Sequence, residues 1–389
     1  MSVENKPIIA LTGATGFLGS HLMASLLSGG YKIIVLGRPN KKETLKERIL
    51  RLLRWFEIEE LAGQLELVEI DFLNPLLGIP EPEYKKLCAI TEQIIHCASD
   101  TSFSERKRDN VFKSNVASLK GILEFAADAK VSFFYYISTA YVAGTNVTIC
   151  KECLSSSTDF LNVYEESKAL AENIIAAFCK KNSISYSIIR PSIVYGDSRT
   201  GRSLKFNALY FPLQSVKYIM EIYLNDIKNN SGIKSKPFGI FIDEEGYLFL
   251  PLRIYLPKEG TLNIVPVDYF VNATMKIIEK ATPGGIYHLT NNSHTKLEII
   301  SVYSKQFMKI KGVEIIYGRS EDNVLRNPAE ELFDRFIEPY RAYLSDNRIF
   351  DRINTDLVTD NLHPPEFTYE IFKNCMEYAI SVNWGESIF

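Results

Sequence analysis

The chain has 389 residues, 46% of them hydrophobic, and a formal net charge of −3. That length holds a large buried core divided between two subdomains, and the near-balanced charge shows no bias toward nucleic acid, which is not an expected partner. Six cysteines spread over such a chain, without a signal peptide, point to reduced thiols in a cytoplasmic setting.

The first expected element is a strand at PIIAL, residues 7–11. The turn TGATGFLG (12–19) and a helix through HLMASLL to Gly29-Gly30 follow it. Residues 7–30 carry no Asp, Glu, Lys or Arg, as a secretory or membrane segment would. Five glycines before Tyr31, a histidine and the missing basic n-region argue against that, and no transmembrane helix is expected. Glycines three apart between a strand and a helix let the backbone approach a pyrophosphate at the helix N-terminus. Gly13, Thr15, Gly16, Phe17, Leu18 and Gly19 are therefore the expected dinucleotide contacts.

The second strand lies in YKIIVLGRPNKK, residues 31–42. A site selective for NAD usually ends this strand with a carboxylate that holds the ribose 2′-hydroxyl. Here Arg38, Lys41 and Lys42 come first, and no carboxylate occurs before Glu43. Guanidinium geometry suits a phosphate, which a carboxylate would repel, so NADPH is the expected cofactor. Arg48, on the next helix, is a second candidate contact. Arg51 and Arg54 fit a solvated helix face equally well.

Strands and helices continue to alternate, the pattern of a Rossmann-type, doubly wound parallel sheet. QLELVEID (64–71) ends in Asp71, placed for the adenine edge, and EQIIHCAS (92–99) brings Cys97 and Ala98 close to the cofactor. A helix is expected over 109–129, carrying Asn115. VSFFYYIST (131–139) ends in Ser138 and Thr139. Cys150 and Cys153 form a lone C-x-x-C without a second knuckle, read as ordinary loop cysteines, and no metal site is expected. A helix over 162–181 then presents Tyr164, Lys168 and Glu172 on one face. A phenol is a poor acid or base at neutral pH, and a nearby ammonium is expected to bring it toward useful range. SYSIIRPSIVYG (185–196) is the sixth strand and its exit loop, with Pro191 ending the pairing and Ile193 just beyond. Gly13, Cys97, Thr139 and Arg190 all fall at the carboxyl ends of strands, where ligands bind in such sheets.

TGATGFLG, ISTAYVAG, YEESK and RPSIVYG together resemble the extended short-chain dehydrogenase/reductases. IIHCAS, GDSRTG (196–201, continuing into Arg202), NIVPVDYFVNA and GGIYHLTN are similar to the branch that reduces acyl thioesters, as fatty acyl-CoA reductases and terminal thioester reductase domains do. The resemblance covers residues 7–292. It implies NADPH as hydride source, Thr139 and Tyr164 on the carbonyl oxygen, Lys168 on the nicotinamide ribose, and an aldehyde product open to a second reduction. The implied partner is an acyl-CoA or an acyl carrier protein. A ketone or aldehyde reductase, or a sugar-nucleotide epimerase or dehydratase of the same superfamily, remains the alternative. With its first strand six residues from the start, the chain is expected to be free-standing.

Two interleaved parts follow from the pattern: a nucleotide domain over 1–197 and 262–292, and a mostly helical substrate-binding subdomain over 198–261 and 293–389. Apolar residues at helical spacing over 204–227 fit either core packing or the wall of a lipid tunnel. Peripheral contact with a membrane stays open. Phe333, Phe336, Tyr340, Tyr343 and Phe350 in the tail fit a helical lid or a small second core.

Overall fold

Seven short apolar runs, each bounded by a polar or glycine turn, pair in parallel as one sheet. They are β1 (Ile9–Thr12), β2 (Ile33–Gly37), β3 (Leu65–Glu69), β4 (Gln93–His96), β5 (Phe133–Ile137), β6 (Ser185–Pro191) and β7 (Gly285–Leu289). Near-continuous burial along β1, β2 and β5 is what a parallel sheet covered on both faces requires. The spatial order is β7-β6-β5-β4-β1-β2-β3. The chain runs outward from β1 to β3 and then returns to β4 on the other side of β1, so the order reverses between β1 and β4, where doubly wound sheets bind their ligands. Thr12 and His96 are register partners at that point. The computed structural model describes residues 6–40, 42–256, 260–318, 326–386 and 388; Lys41 lies outside them.

The crossover helices are α1 (Phe17–Ser28), α2 (Leu45–Phe56), α3 (Glu81–Ile90), α4 (Arg108–Phe112), α5 (Leu119–Asp128) and α6 (Val163–Lys181). Ala10, Ile34, Ile94, Phe134 and Ile188 of the sheet form one core with Leu119, Ile122, Ala171 and Ile175 of the helices. The single helix expected over 109–129 is interrupted by a π turn, Lys113–Ala117. Such an insertion rotates the residues that follow and is common where a side chain must be aimed.

The chain divides into two units. The first comprises residues 1–194, 267–290 and 348–364. Its last piece departs from the sequence expectation, which left all of 293–389 with the other part. The reason is a short parallel pairing: Ile349 and Phe350 lie in register with Ile149 and Cys150, and the helix Ile353–Thr359 follows. The second unit comprises 195–266, 291–347 and 365–389. Its helices include Tyr210–Asn229, Leu297–Met308, Pro328–Ile337 and Tyr369–Ser381. They accompany a three-stranded sheet in which Leu248–Leu256 pairs in parallel with Ile310–Tyr317 and antiparallel with Phe241–Ile242, a feature the sequence reading did not contain. Val216, Ile219 and Tyr223 of the apolar helix pack in this unit's own core with Leu250, Leu252 and Phe333, so core packing accounts for that face. Among the described residues no helix is long and apolar enough to cross a membrane.

Candidate active site

The glycine turn is built by close backbone approach. Gly13 sits at φ +73°, and a Cβ there would lie 2.6 Å from the Ala98 nitrogen and 2.7 Å from the Cys97 carbonyl carbon. A Cβ on Gly19 would fall 2.2 Å from the Gly13 oxygen. Only glycine fits either position, and the result is a shallow cradle at the start of α1. Gly16 caps α1 without a side-chain hydrogen bond, and the first turn, including Phe17 and Leu18, carries no acidic residue. The helix N-terminus thus keeps its amide donors and positive dipole end for an anion.

At the β2 exit the Arg48 side chain reaches back to the end of the strand. Thr44 and Glu47 form a capping box that fixes the start of α2, one turn before Arg48. Arg48 donates to the Thr15 hydroxyl at 2.6 Å and to the Arg38 carbonyl at 3.1 Å, tying α2 to the glycine turn and to the end of β2. Burial holds Arg48 below its ordinary range; Glu43 opposes this, while the Arg51 and Arg38 charges add to it. Glu43, the first carboxylate after β2, is turned to a two-point ion pair with Arg51. Asp71, exposed after β3, accepts from the Leu73 amide and the Asn74 side chain, capping its own turn.

Beside β1, the Thr12 hydroxyl accepts from the Cys97 and Ala98 amides at 3.2 and 3.3 Å and lies 2.9 Å from His96 Nδ1. Burial drives His96 down to about 3, with Lys168 adding to the effect; the ring is neutral and stacks on Tyr136. Burial also pushes the Cys97 thiol up to about 12 despite the Lys168 charge. Asn115, aimed by the π turn, accepts from the Ser99 hydroxyl and the Asp100 amide. It donates to the Asp100 carbonyl and the Ser167 hydroxyl. One buried amide therefore joins the β4 exit loop to α6.

Thr139 lies just past β5 and caps a 3₁₀ turn, Ala140–Ala143, by accepting from the Tyr141 amide. It also acts on the Tyr164 phenol, which it favours toward the ionised form. Asn162 caps α6, which places Tyr164 in the first turn and Lys168 one turn on. The expected lowering of the phenol does not occur. Burial raises Tyr164 above its ordinary value, Cys97 and Glu165 add to this, and only the Thr139 hydrogen bond opposes it. Lys168 donates instead to the Ile137 carbonyl at 2.6 Å and stands 4.1 Å over the Tyr136 ring. Burial lowers it to about 8, with Cys97 and Glu172 opposing. Desolvation outweighs the ammonium's field at this depth. The neighbouring Ser138 hydroxyl is buried without a hydrogen-bond partner.

Arg190 does not join this group. Its guanidinium forms a two-point, fully buried ion pair with Glu172 at 2.9 and 2.6 Å and donates to the Lys151 and Cys153 carbonyls. Cys150 is buried and Cys153 exposed, and neither forms a disulfide. Pro191 ends β6 opposite Leu289, and Ile193 is half-buried beyond it. Two residues absent from the sequence reading border the site's supports: Arg348 and Arg352, both buried on the returning segment. Arg352 donates to the Tyr269 hydroxyl and the His288 and Thr290 carbonyls at the end of β7. The carbonyls they reach across the fold lie far off in sequence, 207 and 204 residues from Arg348 and 62 from Arg352 at Thr290, although Arg352 also pairs locally with Asp356.

A glycine cradle at β1, Arg38 and Arg48 at the β2 exit, and Thr139, Tyr164 and Lys168 after β5 and on α6 are the pattern of an extended short-chain dehydrogenase/reductase. The chain matches the model of the NAD-binding family described as male sterility protein over residues 11–274 and belongs to that family. It is 29% identical over 223 residues to human fatty acyl-CoA reductase 2, covering 48% of this chain and 43% of that protein. With the L-2-aminoadipate reductase large subunit of Candida glabrata it shares 26% over 341 residues, 82% of this chain and 23% of that one. The chain thus spans less than half the length of these curated relatives. In fold it is similar to the terminal R domain of the myxalamid PKS-NRPS pathway, with a TM-score of 0.75 at 20% identity, covering 98% of this chain and 92% of that domain.

Proposed function

We propose that the chain is an NADPH-dependent reductase of acyl thioesters, converting an acyl-CoA or an acyl carrier protein's thioester to the aldehyde, a product open to a second reduction to the alcohol. The observation that carries this reading is the placement of Thr139, capping the turn after β5, and of Tyr164 and Lys168, in the first turns of α6, at the carboxyl edge of the sheet. The relatives named as fatty acyl-CoA reductase and aminoadipate reductase support the substrate class. The residues present fit a dinucleotide: the Gly13–Gly19 cradle admits no Cβ, and the amides of α1 are uncapped. Gly13, Thr15, Gly16, Phe17, Leu18 and Gly19 would hold the pyrophosphate. Arg38 and Arg48 would hold the 2′-phosphate, Asp71 would border the adenine, and Lys168 would take the nicotinamide ribose. Cys97, Ala98, Ser138, Pro191 and Ile193 would line the nicotinamide side. The first unit would hold the cofactor and the second the acyl substrate.

When bound, NADPH supplies the hydride for the thioester carbonyl carbon. The chain's own part is to receive the charge that develops on the oxygen. Thr139 and Tyr164 donate hydrogen bonds to it, and Tyr164 transfers its proton. The thiohemiacetal so formed loses the thiol and leaves the aldehyde. The raised phenol is suited to this role, since it stays protonated until a strong base, the developing alkoxide, faces it. Free carboxylates resist hydride because their carbonyl is already electron-rich. NADPH absorbance followed with acyl-CoAs, acyl carriers, free acids and aldehydes as separate substrates tests the reading. Consumption with thioesters and none with free acids is expected; consumption with ketones and with no thioester would replace it.

A further inference from the structure

The segment 348–364 leaves the rest of the C-terminal third and rejoins the first unit. Its entry is fixed by backbone: the Ile349 amide donates to the Thr148 carbonyl and the Asp351 amide to the Cys150 carbonyl. Arg348, at the head of the segment, is 5% exposed. It donates to the carbonyls of Tyr141 and Gly144 at 3.3 and 3.1 Å, the closing carbonyls of the turn that begins at Thr139. Its plane lies 5.0 Å over the Tyr141 ring, and its second terminal nitrogen stands 3.6 Å from the carboxylate of Glu165. Glu165 is fully buried and immediately follows Tyr164. Burying a guanidinium and a carboxylate costs free energy that apolar packing would not, so a plain brace needs neither. Gly144 adds to the rigidity of the turn: it sits at φ +85°, and a Cβ there would meet the Ser157 hydroxyl at 1.9 Å.

We infer that Arg348 is a positioning residue for the reaction, fixing the Thr139 turn and balancing the Glu165 carboxylate so that the Thr139 and Tyr164 hydroxyls meet one oxygen. The inference rests on the proposed roles of Thr139 and Tyr164. One cation reaches both halves of the pair: the turn after β5 through two carbonyls, and the first turn of α6 through Glu165. Without it the turn loses two bonds and a buried carboxylate beside the phenol loses its counter-charge. Arg352 provides the contrast. It is equally buried on the same segment, but its contacts go to Tyr269, to the carbonyls after β7 and to Asp356, none of them in the Thr139 turn or α6.

The test compares Arg348→Met, Arg348→Lys, Arg348→Met with Glu165→Gln, and Arg352→Met, each normalised to folded protein. Arg348→Met is expected to lower kcat about tenfold or more, the scale on which misplaced groups cost rate, with NADPH affinity within about twofold of wild type. Adding Glu165→Gln should recover part of the loss, because the uncompensated charge is then gone. Arg352→Met should lower the melting temperature with kcat nearly unchanged. Amide hydrogen exchange supplies a readout free of substrate: amides 140–145 should exchange about tenfold faster in Arg348→Met, while those of 13–19 stay as in wild type. Should the methionine variant fail to fold, the lysine variant carries the same comparison, because it keeps the charge and loses the fork. Unchanged exchange in 140–145, or kcat within twofold of wild type, overturns the inference. A wild-type protein inactive on every thioester would defeat the proposed function instead, and the exchange result would still decide the role of Arg348.

Discussion

The two ends of the sheet's carboxyl edge work in opposite electrostatic regimes. At the β2 exit, Arg38 is exposed and Arg48 half-buried; Arg48 donates to the Arg38 carbonyl and the Thr15 hydroxyl rather than to a carboxylate, and Glu43 is occupied by Arg51. At the β5 edge, Tyr164, Lys168, Cys97 and His96 are packed so closely that burial sets each of their protonation states. The first arrangement offers charge to a ligand. The second sets a neutral phenol, thiol and imidazole around one buried ammonium. On the proposed reading, recognition and chemistry fall to different dielectric environments a few strands apart, and substitutions at the two ends should fail in different ways.

The largest effect should come from the buried end. Tyr164→Phe is expected to cut turnover by roughly 10²–10⁴-fold, the usual worth of general acid catalysis, with NADPH affinity preserved in fluorescence titration. Retention of a tenth of wild-type turnover would remove the phenol from the mechanism. Next comes the cradle between the two ends. Gly13→Ala places a Cβ 2.6 Å from the Ala98 nitrogen at a positive φ, where strain costs about 1–3 kcal/mol. Cofactor binding should weaken at least tenfold for NADPH and NADH alike, measured by the same titration. At the exposed end, Arg38→Ala should weaken NADPH about tenfold and leave NADH nearly untouched, since a charge-assisted contact is worth about 1.5–3 kcal/mol. Equal losses for both cofactors would make Arg38 a support of the fold.

The smallest effect should be a pH dependence. Lys168 is buried among Cys97, Glu172, His96 and the Tyr136 ring, and its ammonium is lowered to about 8. The protonated form is the one that favours an anionic dinucleotide. Affinity should therefore be full below that value and decline several-fold as pH rises through it. The same depression has the opposite sign for stability. Between about 8 and 10.5 the unfolded chain binds the proton that the folded chain has released, so this group adds stability as pH rises. Lys168→Met should remove the inflection in the binding curve, and its persistence would assign the titration elsewhere.

At the exposed end the strand-turn-helix frame was legible in the sequence, because its parts are local, and the phosphate roles of Arg38 and Arg48 are proposals drawn from the same stretch. The glycine turn, Arg38 and Arg48 lie within 36 residues of one another, and each follows from strand-turn-helix spacing. Family membership and the parallel sheet were readable for the same reason. The buried end was legible only as residue types. Tyr164 and Lys168 could be set on one helix face, but the direction of the phenol's shift depends on how deeply Cys97, Tyr136 and Glu165 enclose it, and sequence spacing carries no depth. Arg190 was misdirected for a related cause: strand position put it at the right end of β6, while its partner Glu172 on α6 determined where the guanidinium went. Arg348 was illegible altogether, since its contacts span more than 200 positions.

One measurement bears most directly on the claim that this edge reduces thioesters: free thiol released against NADPH consumed, with a long-chain acyl-CoA as the sole substrate. The account predicts one thiol for each NADPH if the aldehyde leaves, or one for every two if it is reduced again, with both signals lost in Tyr164→Phe. NADPH consumption without thiol release, or thiol release that Tyr164→Phe leaves intact, would contradict it.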